Sequence, residues 1–187
     1  MAKYLACICE GGAEHAILDL LLNNHSLVFE REDLIEEEVL KCRRGRDFEE
    51  KYLKKGFSEK ITVYRILDSR NENFKLRKAY EKKVDVINVV TAPEIEMLII
   101  CNEDRYRDFK SSGEKPSTYC KRALKYSNVK SYDFIYEYFS DINILISQGL
   151  IPRSLLRGRL LNALHEYRRI SKIRRNEMTL WDLLKQK

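Results

Sequence analysis

Short apolar segments alternate with helical segments over residues 1–90, and this alternation restricts the chain to a small group of folds. Apolar runs bounded by turn residues predict strands at 4–9, 26–29, 61–67 and 84–90. Helices are predicted between them at 13–24, 47–55 and 74–82, and the second of these is predicted to be a charged surface helix. Strands that are joined through helices pair in parallel. The sequence therefore predicts an α/β fold with a mostly parallel four-stranded sheet flanked by helices.

The pattern becomes helical from Pro93 onward, and Pro93 suits the first turn of a helix that continues through EIEMLIIC. Further helices are predicted at 103–110, 116–126, 132–148, 152–172 and 180–186. Thr179 and Asp182 have the spacing of a capping box for the last of these. We expect an α/β domain at 1–112 and a helical extension at 113–187, or both packed as one domain.

Composition excludes several classes of protein. The chain has 187 residues, of which 44% are hydrophobic, so it can bury a core and is not disordered. The longest apolar runs are too short to span a bilayer, and the N-terminus lacks the features of a signal peptide. The five cysteines form no CxxC pair, which favours reduced packing residues. A cytoplasmic protein without a membrane partner is expected.

Positive charge is concentrated at the C-terminal end. Residues 151–187 contain ten Lys and Arg against three acids, which leaves 25 basic and 26 acidic residues in the rest. A basic segment beside a neutral body is typical of a protein that binds a polyanion. The candidate nucleic-acid-binding residues here are Arg153, Arg157, Arg159, Arg168, Arg169, Lys172, Arg174 and Arg175. The alternative is a solvated helix face.

Acidic residues follow three of the predicted strands. Glu10 ends the first strand before the Gly11-Gly12 turn, Asp68 follows the third, and Glu94 and Glu96 follow the fourth. If these strands are neighbours, their carboxylates crowd one edge of the sheet and repel one another unless a cation neutralises them. This pattern favours a divalent metal ion that polarises a phosphodiester and activates water. The alternative is that such acids only stabilise helix N-termini.

The segments CEGGAEH (9–15), RILDSRN (65–71) and TAPEIEMLIIC (91–101) resemble the TOPRIM fold of topoisomerases, primases and overcoming-lysogenization-defect nucleases. They are more particularly similar to the RloB-like branch, which occurs among phage-defence and restriction-associated loci. The resemblance covers residues 3–105. It implies a TOPRIM-like sheet, a nuclease active site that uses Mg²⁺ or Mn²⁺, and a partner ATPase.

The resemblance also implies roles for single residues. Glu10 matches the family's lead glutamate, a general acid/base or metal ligand, and Asp68 matches the first Asp of its D-x-D motif. The catalytic set implied is Glu10, Asp68 and Glu96. The metal ligands implied are Glu10, Glu14, Asp68, Asn71, Glu94 and Glu96. The second Asp of the motif is replaced by Arg70, which either weakens metal binding or moves the site toward phosphate binding by arginine.

Three functions remain open from the sequence. The first is a metal-dependent nuclease or nuclease subunit that cleaves DNA or RNA, in anti-phage defence. The second is a catalytically inactive TOPRIM-like interaction protein that binds nucleic acid or a partner ATPase. The third is non-specific binding of nucleic acid by the tail, with another task for the body. The Asp68-Ser69-Arg70-Asn71 turn separates the first two, because a nuclease needs an oxygen ligand in this turn.

Overall fold

The computed structural model describes residues 4–54, 59–68, 73–147, 153–171, 173–174 and 177–185. Side-chain surroundings are described for all of these except 141–147 and 153–158. Among the described helices, none is long and apolar enough to cross a membrane.

The centre of the fold is a four-stranded parallel sheet with the strand order β2-β1-β3-β4. Its strands are β1 (Leu5–Cys9), β2 (Leu40–Lys41), β3 (Ile61–Leu67) and β4 (Val84–Val90). The predicted α/β fold with a parallel sheet flanked by helices is confirmed. Strands β1 and β3 are mostly buried, whereas β4, at the edge of the sheet, buries Val84, Val89 and Val90 and is partly exposed in its middle. Strands β3 and β4 are rich in β-branched residues, which suit a pleated sheet.

Helices connect and cover the strands. They are α1 (Gly12–Asn23), α2 (Gly45–Phe48), α3 (Lys78–Glu81), α4 (Met97–Asn102), α5 (Tyr106–Ser112), α6 (Pro116–Ala123), α7 (Tyr132–Ser147) and α8 (Arg153–Ile170). Short 3-10 turns occupy Arg31–Asp33, Ile35–Glu37 and Leu180–Leu183, and a π-helical turn, Glu49–Leu53, follows α2. The helices predicted from 103 onward are confirmed within a few residues, except that the last is a 3-10 turn. The predicted capping box is present at Thr179 and Asp182.

The sheet lies between two apolar layers. The larger layer joins one face of the sheet to α1, α4, α7 and α8, and α1 packs against α7 while α4 packs against α8. The smaller layer covers the other face with Phe48, Tyr52 and Leu53. Residues Leu160, Ala163, Leu164 and Tyr167 of α8 belong to the larger layer. The first part of the basic C-terminal region is therefore built into the core beside the sheet.

The second predicted strand is wrong. Residues 26–29 do not join the sheet, because they pair instead with the C-terminal segment, where Leu27 bridges Leu184 in antiparallel orientation. The backbone N–H of Val28 donates to the Leu183 carbonyl oxygen at 2.8 Å. The second strand of the sheet is the two-residue β2, which pairs with Ile8 and Cys9 at the edge.

Three further predictions needed correction. The segment predicted as a surface helix at 47–55 has a buried face, and the fully buried Glu49 carboxylate accepts hydrogen bonds from the backbone N–H and Nε of Arg77. The helix predicted at 74–82 is confined to Lys78–Glu81. Pro93 is not in a first helical turn, because α4 begins at Met97. The 92–96 segment is instead a loop that carries Glu94 and Glu96.

Candidate functional site

The sheet order brings the acidic segments to one edge. Strands β1, β3 and β4 are neighbours, and the carboxyl ends of parallel strands meet at the same edge of a sheet. Glu14 enters this edge from the first turn of α1, Asp68 directly follows β3, and Glu94 and Glu96 lie on the loop after β4. We call Glu14, Asp68, Glu94 and Glu96 the acidic rim.

Two contacts fix the loop that carries Glu94 and Glu96. Thr91 is fully buried, and both its backbone N–H and its hydroxyl donate to the Leu67 carbonyl oxygen, at 2.7 and 3.0 Å. This ties the end of β4 to the end of β3, next to Asp68. The buried Tyr167 of α8 donates its hydroxyl hydrogen to the Pro93 carbonyl oxygen. The loop is therefore held between the sheet and α8.

Two members of the acidic rim are buried. The exposed fraction is 9% for Glu14 and 3% for Glu96, whereas Asp68 is exposed. Burial raises the pKa of Glu14, and the negative charges of Glu96 and Asp68 add to this effect. Burial likewise raises the pKa of Glu96, and the charge of Glu94 adds to it. Ionising the two buried carboxylates of the acidic rim therefore costs free energy.

A lysine from another part of the chain neutralises part of this charge. Lys130 Nζ lies 3.3 Å from Glu96 Oε1 and 3.4 Å from Glu94 Oε2. Burial alone would lower the pKa of Lys130, but the carboxylates of Glu96 and Glu94 outweigh it and raise the pKa. Lys130 lies in the segment between α6 and α7, directly before α7 begins.

Glu10 contacts a different cation from the one that contacts Glu94 and Glu96. Its Oε2 lies 3.4 Å from Nε of Arg43, which follows β2 at the same edge of the sheet. Both side chains reach solvent. The adjacent Cys9 is buried, and burial raises the pKa of its thiol to about 12, which leaves it protonated and unreactive.

Among the described residues, no group of three or more His, Cys, Asp or Glu side chains is arranged to hold a metal ion. The carboxylate oxygens of Glu14, Asp68 and Glu96 are chemically suited to Mg²⁺ or Mn²⁺. With Lys130 in place, however, their arrangement is not a metal site. Asn71 and Arg70, which the sequence also assigns to this site, lie outside the described residues.

The predicted nucleic-acid-binding residues fall into three groups. Lys172 and Arg175 lie outside the described residues, and the side chains of Arg153 and Arg157 on α8 also lie outside them. Arg159 is half-buried and donates from Nε to Asn102 Oδ1 at 3.1 Å. Arg168, Arg169 and Arg174 are exposed, and each lies within 4 Å of an acid, at Asp182, Glu166 and Glu177.

Sequence reasoning missed Lys130 and Tyr167. Lys130 lies in a polar segment without periodicity, and its contacts with Glu94 and Glu96 join positions more than thirty residues apart. Tyr167 lies on the buried face of α8, where the sequence pattern predicts only that a tyrosine packs in the core. The hydroxyl group of Tyr167, on an otherwise apolar face of α8, was the sequence feature that could have indicated a buried hydrogen bond.

The burial of Glu14 gives a prediction about pH. Because its folded pKa is raised, the folded state binds this proton more tightly than the unfolded chain does. The associated stability is present below the ordinary glutamate pKa of about 4.3 and is lost as pH rises through the folded value. Glu14→Gln mimics the protonated acid. We therefore expect it to melt at a higher temperature than wild type at pH 7 and at a similar temperature near pH 4.

Thermal melts between pH 4 and 8 measure this difference. Glu32→Gln is the matched control, because Glu32 is exposed, and its melting temperature should follow wild type throughout. A Glu14→Gln variant that is less stable than wild type at pH 7 would contradict the expectation.

The chain matches no protein-family model, and neither the curated proteins nor the solved structures compared with it give a match.

Proposed function

We propose that this protein is a metal-dependent nuclease or nuclease subunit that cleaves phosphodiester bonds in DNA or RNA at the acidic rim. The observation that carries the proposal is the convergence of Glu14, Asp68 and Glu96. They come from three different segments, meet at the carboxyl edge of a parallel sheet, and include two buried acids whose pKa values are raised. Such an arrangement destabilises a fold unless a cation offsets it, and it is common at functional sites.

The donor chemistry of the acidic rim suits Mg²⁺ or Mn²⁺. Glu14, Asp68 and Glu96 are the residues that would hold the ion. Bound there, the ion would polarise a phosphodiester and lower the pKa of a water molecule. The chain's own contribution is to fix the carboxylates on rigid elements, through the Thr91 and Tyr167 contacts described above.

The basic C-terminal region supports a nucleic-acid substrate. Arg169 and Arg174 expose 72% and 76% of their side chains, and the Glu166 partner of Arg169 is also partly exposed, at 41%. Ion pairs of this kind contribute little and exchange readily for phosphate. Residues 151–187 carry nearly all of the net charge, so they are the part of the chain suited to the backbone of a polyanion.

The test is a cleavage assay on single- and double-stranded DNA and RNA with Mg²⁺ or Mn²⁺. Wild type is compared with Asp68→Asn and Glu96→Gln, which replace a carboxylate by an amide of the same shape. We expect both variants to lose cleavage by about 100-fold or more. Glu32→Gln is the control for a surface acid and should cleave like wild type. Melting curves confirm that each variant is folded.

Two results would reject the nuclease. One is undiminished cleavage in both rim variants, which would indicate a contaminant or another site. The other is the absence of cleavage by wild type on all four substrates with either ion.

A second function is favoured by Lys130. The ion pairs of Lys130 with Glu94 and Glu96 neutralise part of the acidic rim without a metal ion. A rim of this kind suits a catalytically inactive module that binds nucleic acid or a partner ATPase. Binding of nucleic acid without cleavage, together with no change in melting temperature on adding Mn²⁺, would favour this function over the first.

A further inference from the structure

The ammonium group of Lys130 reaches the acidic rim from the solvent side. The exposed fraction of the Lys130 side chain is 65%, whereas that of the Glu96 side chain it contacts is 3%. The buried carboxylate is therefore the fixed partner and the lysine is the movable one. An exposed lysine can leave such a pair at small cost, because water solvates its ammonium group at once.

The backbone of Lys130 is held in place, so only its side chain is free to move. The 130–132 segment packs on the Gly12 backbone so closely that a Cβ atom at Gly12 would lie 2.8 Å from the Tyr132 nitrogen and 3.2 Å from the Lys130 oxygen. Tyr132 in turn donates its hydroxyl hydrogen to Asp19 Oδ2 at 2.9 Å. Its ring also packs edge-to-face on His15, with the centroids 5.3 Å apart.

These contacts anchor Lys130 to the same helix that carries Glu14. The segment is pinned to the start of α1 through Gly12 and to its second turn through Asp19. The charge of Lys130 acts on Glu14 as well, where it opposes the rise in pKa. One cation thus serves three carboxylates, Glu14, Glu94 and Glu96, from a fixed attachment point.

We propose that Lys130 is a tethered counter-ion that occupies the cation position of the acidic rim, so that a divalent metal ion binds only when the ammonium group leaves Glu94 and Glu96. This inference rests on the proposed function for its metal ion. It accounts for the lack of a metal-binding group among the described side chains, since the lysine holds the carboxylates in the arrangement they adopt without metal.

The inference predicts the direction of a change in metal affinity. Lys130→Met removes the competing charge and keeps an unbranched side chain of similar length. We expect it to bind Mn²⁺ about threefold to tenfold more tightly than the control variant Lys121→Met. Lys121 is exposed on α6, and its replacement lowers the net charge by the same amount, so the comparison removes the general effect of charge on cation binding.

Two measurements carry the test. Calorimetric titration with Mn²⁺ gives the affinities of wild type, Lys130→Met and Lys121→Met. Melting temperatures in chelator measure the metal-free state, where Lys130→Met should be less stable than Lys121→Met. That loss should become smaller when both lysine variants are made in a Glu96→Gln background, because the most deeply buried of the charges that Lys130 neutralises is then absent.

The outcomes separate this inference from the proposed function. Equal or weaker Mn²⁺ affinity in Lys130→Met than in Lys121→Met contradicts the proposal that Lys130 is a counter-ion. Mn²⁺ binding to neither variant also contradicts it. Tighter binding in Lys130→Met without cleavage of any nucleic acid supports the counter-ion and rejects the nuclease. Cleavage by wild type with equal Mn²⁺ affinities supports the nuclease and rejects the counter-ion.

Discussion

Replacing Gly12 with valine is expected to lower the free energy of unfolding by about 3 kcal/mol, because the new side chain would overlap the backbone of the 130–132 segment. A Cβ atom at Gly12 would lie 2.8 Å from the Tyr132 nitrogen and 3.2 Å from the Lys130 oxygen. Backbone atoms cannot turn away as a flexible side chain can, so α1 and the start of α7 must separate. Urea denaturation followed by circular dichroism measures the loss.

Gly11→Val is the matched control. The three nearest atoms to a Cβ atom at Gly11 all belong to the Glu14 side chain, whose carboxylate can rotate away. The Gly11 backbone is extended, at φ −87° and ψ 152°, which valine adopts readily. We expect a loss of about 1 kcal/mol or less. Equal losses at the two positions would show that the packing of the 130–132 segment does not limit residue 12.

The central strands were predictable because their apolar runs leave little choice. Strands β3 and β4 have the predicted bounds, and β1 and α1 differ from prediction by one residue at their ends. Strands β1 and β3 are runs of mostly buried residues bounded by turn residues, as a parallel sheet covered on both faces requires. Strand β4 is partly exposed, and its β-branched residues made it recognisable. The acidic edge was predictable because the carboxyl ends of parallel strands lie at the same edge of a sheet.

The second strand was not predictable from local pattern. Residues 26–29 are apolar enough for a strand, but their partner is the distant segment around Leu183 and Leu184. The strand that does join the sheet, β2, has two residues and one buried side chain, Leu40. Two residues are too few to show the alternating pattern of a strand. Residues 40–41 form a strand because they pair with β1, and the sequence around Leu40 does not indicate this pairing.

The contacts of Lys130 with the acidic rim depend on tertiary structure and could not be predicted from the sequence. The strand pattern identifies Asp68, Glu94 and Glu96 of the rim, and the family resemblance adds Glu14. Glu10, which the strand pattern also predicted at this edge, contacts Arg43 instead. The lysine that neutralises them comes from a segment whose position depends on a helix, a glycine and a tyrosine acting together. An ion pair between residues that are far apart in the chain produces no sequence pattern from which it could be predicted.

Replacing Tyr167 with alanine is expected to lower the free energy of unfolding by about 3–5 kcal/mol. The Tyr167 side chain is 2% exposed and packs in the larger core layer between α8 and the sheet. Burial also raises the pKa of its phenol, so the hydroxyl group remains a hydrogen-bond donor across the usual pH range. Its removal leaves a cavity and deprives the Pro93 carbonyl oxygen of a donor. Urea denaturation measures the loss, and Glu166→Ala, at a half-buried neighbour on the same helix, should change stability by about 0.5 kcal/mol or less.

Tyr167→Phe separates packing from the hydrogen bond. The ring remains and only the hydroxyl is lost, so the expected cost is about 1–2 kcal/mol. This hydroxyl holds the loop that carries Glu94 and Glu96, and we therefore expect amide hydrogen exchange at residues 94–98 to become faster in Tyr167→Phe than in wild type. Exchange in β1 and β3 should follow only the small loss of global stability. Unchanged exchange at the loop would show that Thr91 and Lys130 hold the acidic rim without help from α8, whereas faster exchange there would make Tyr167 a positioning residue for the carboxylates.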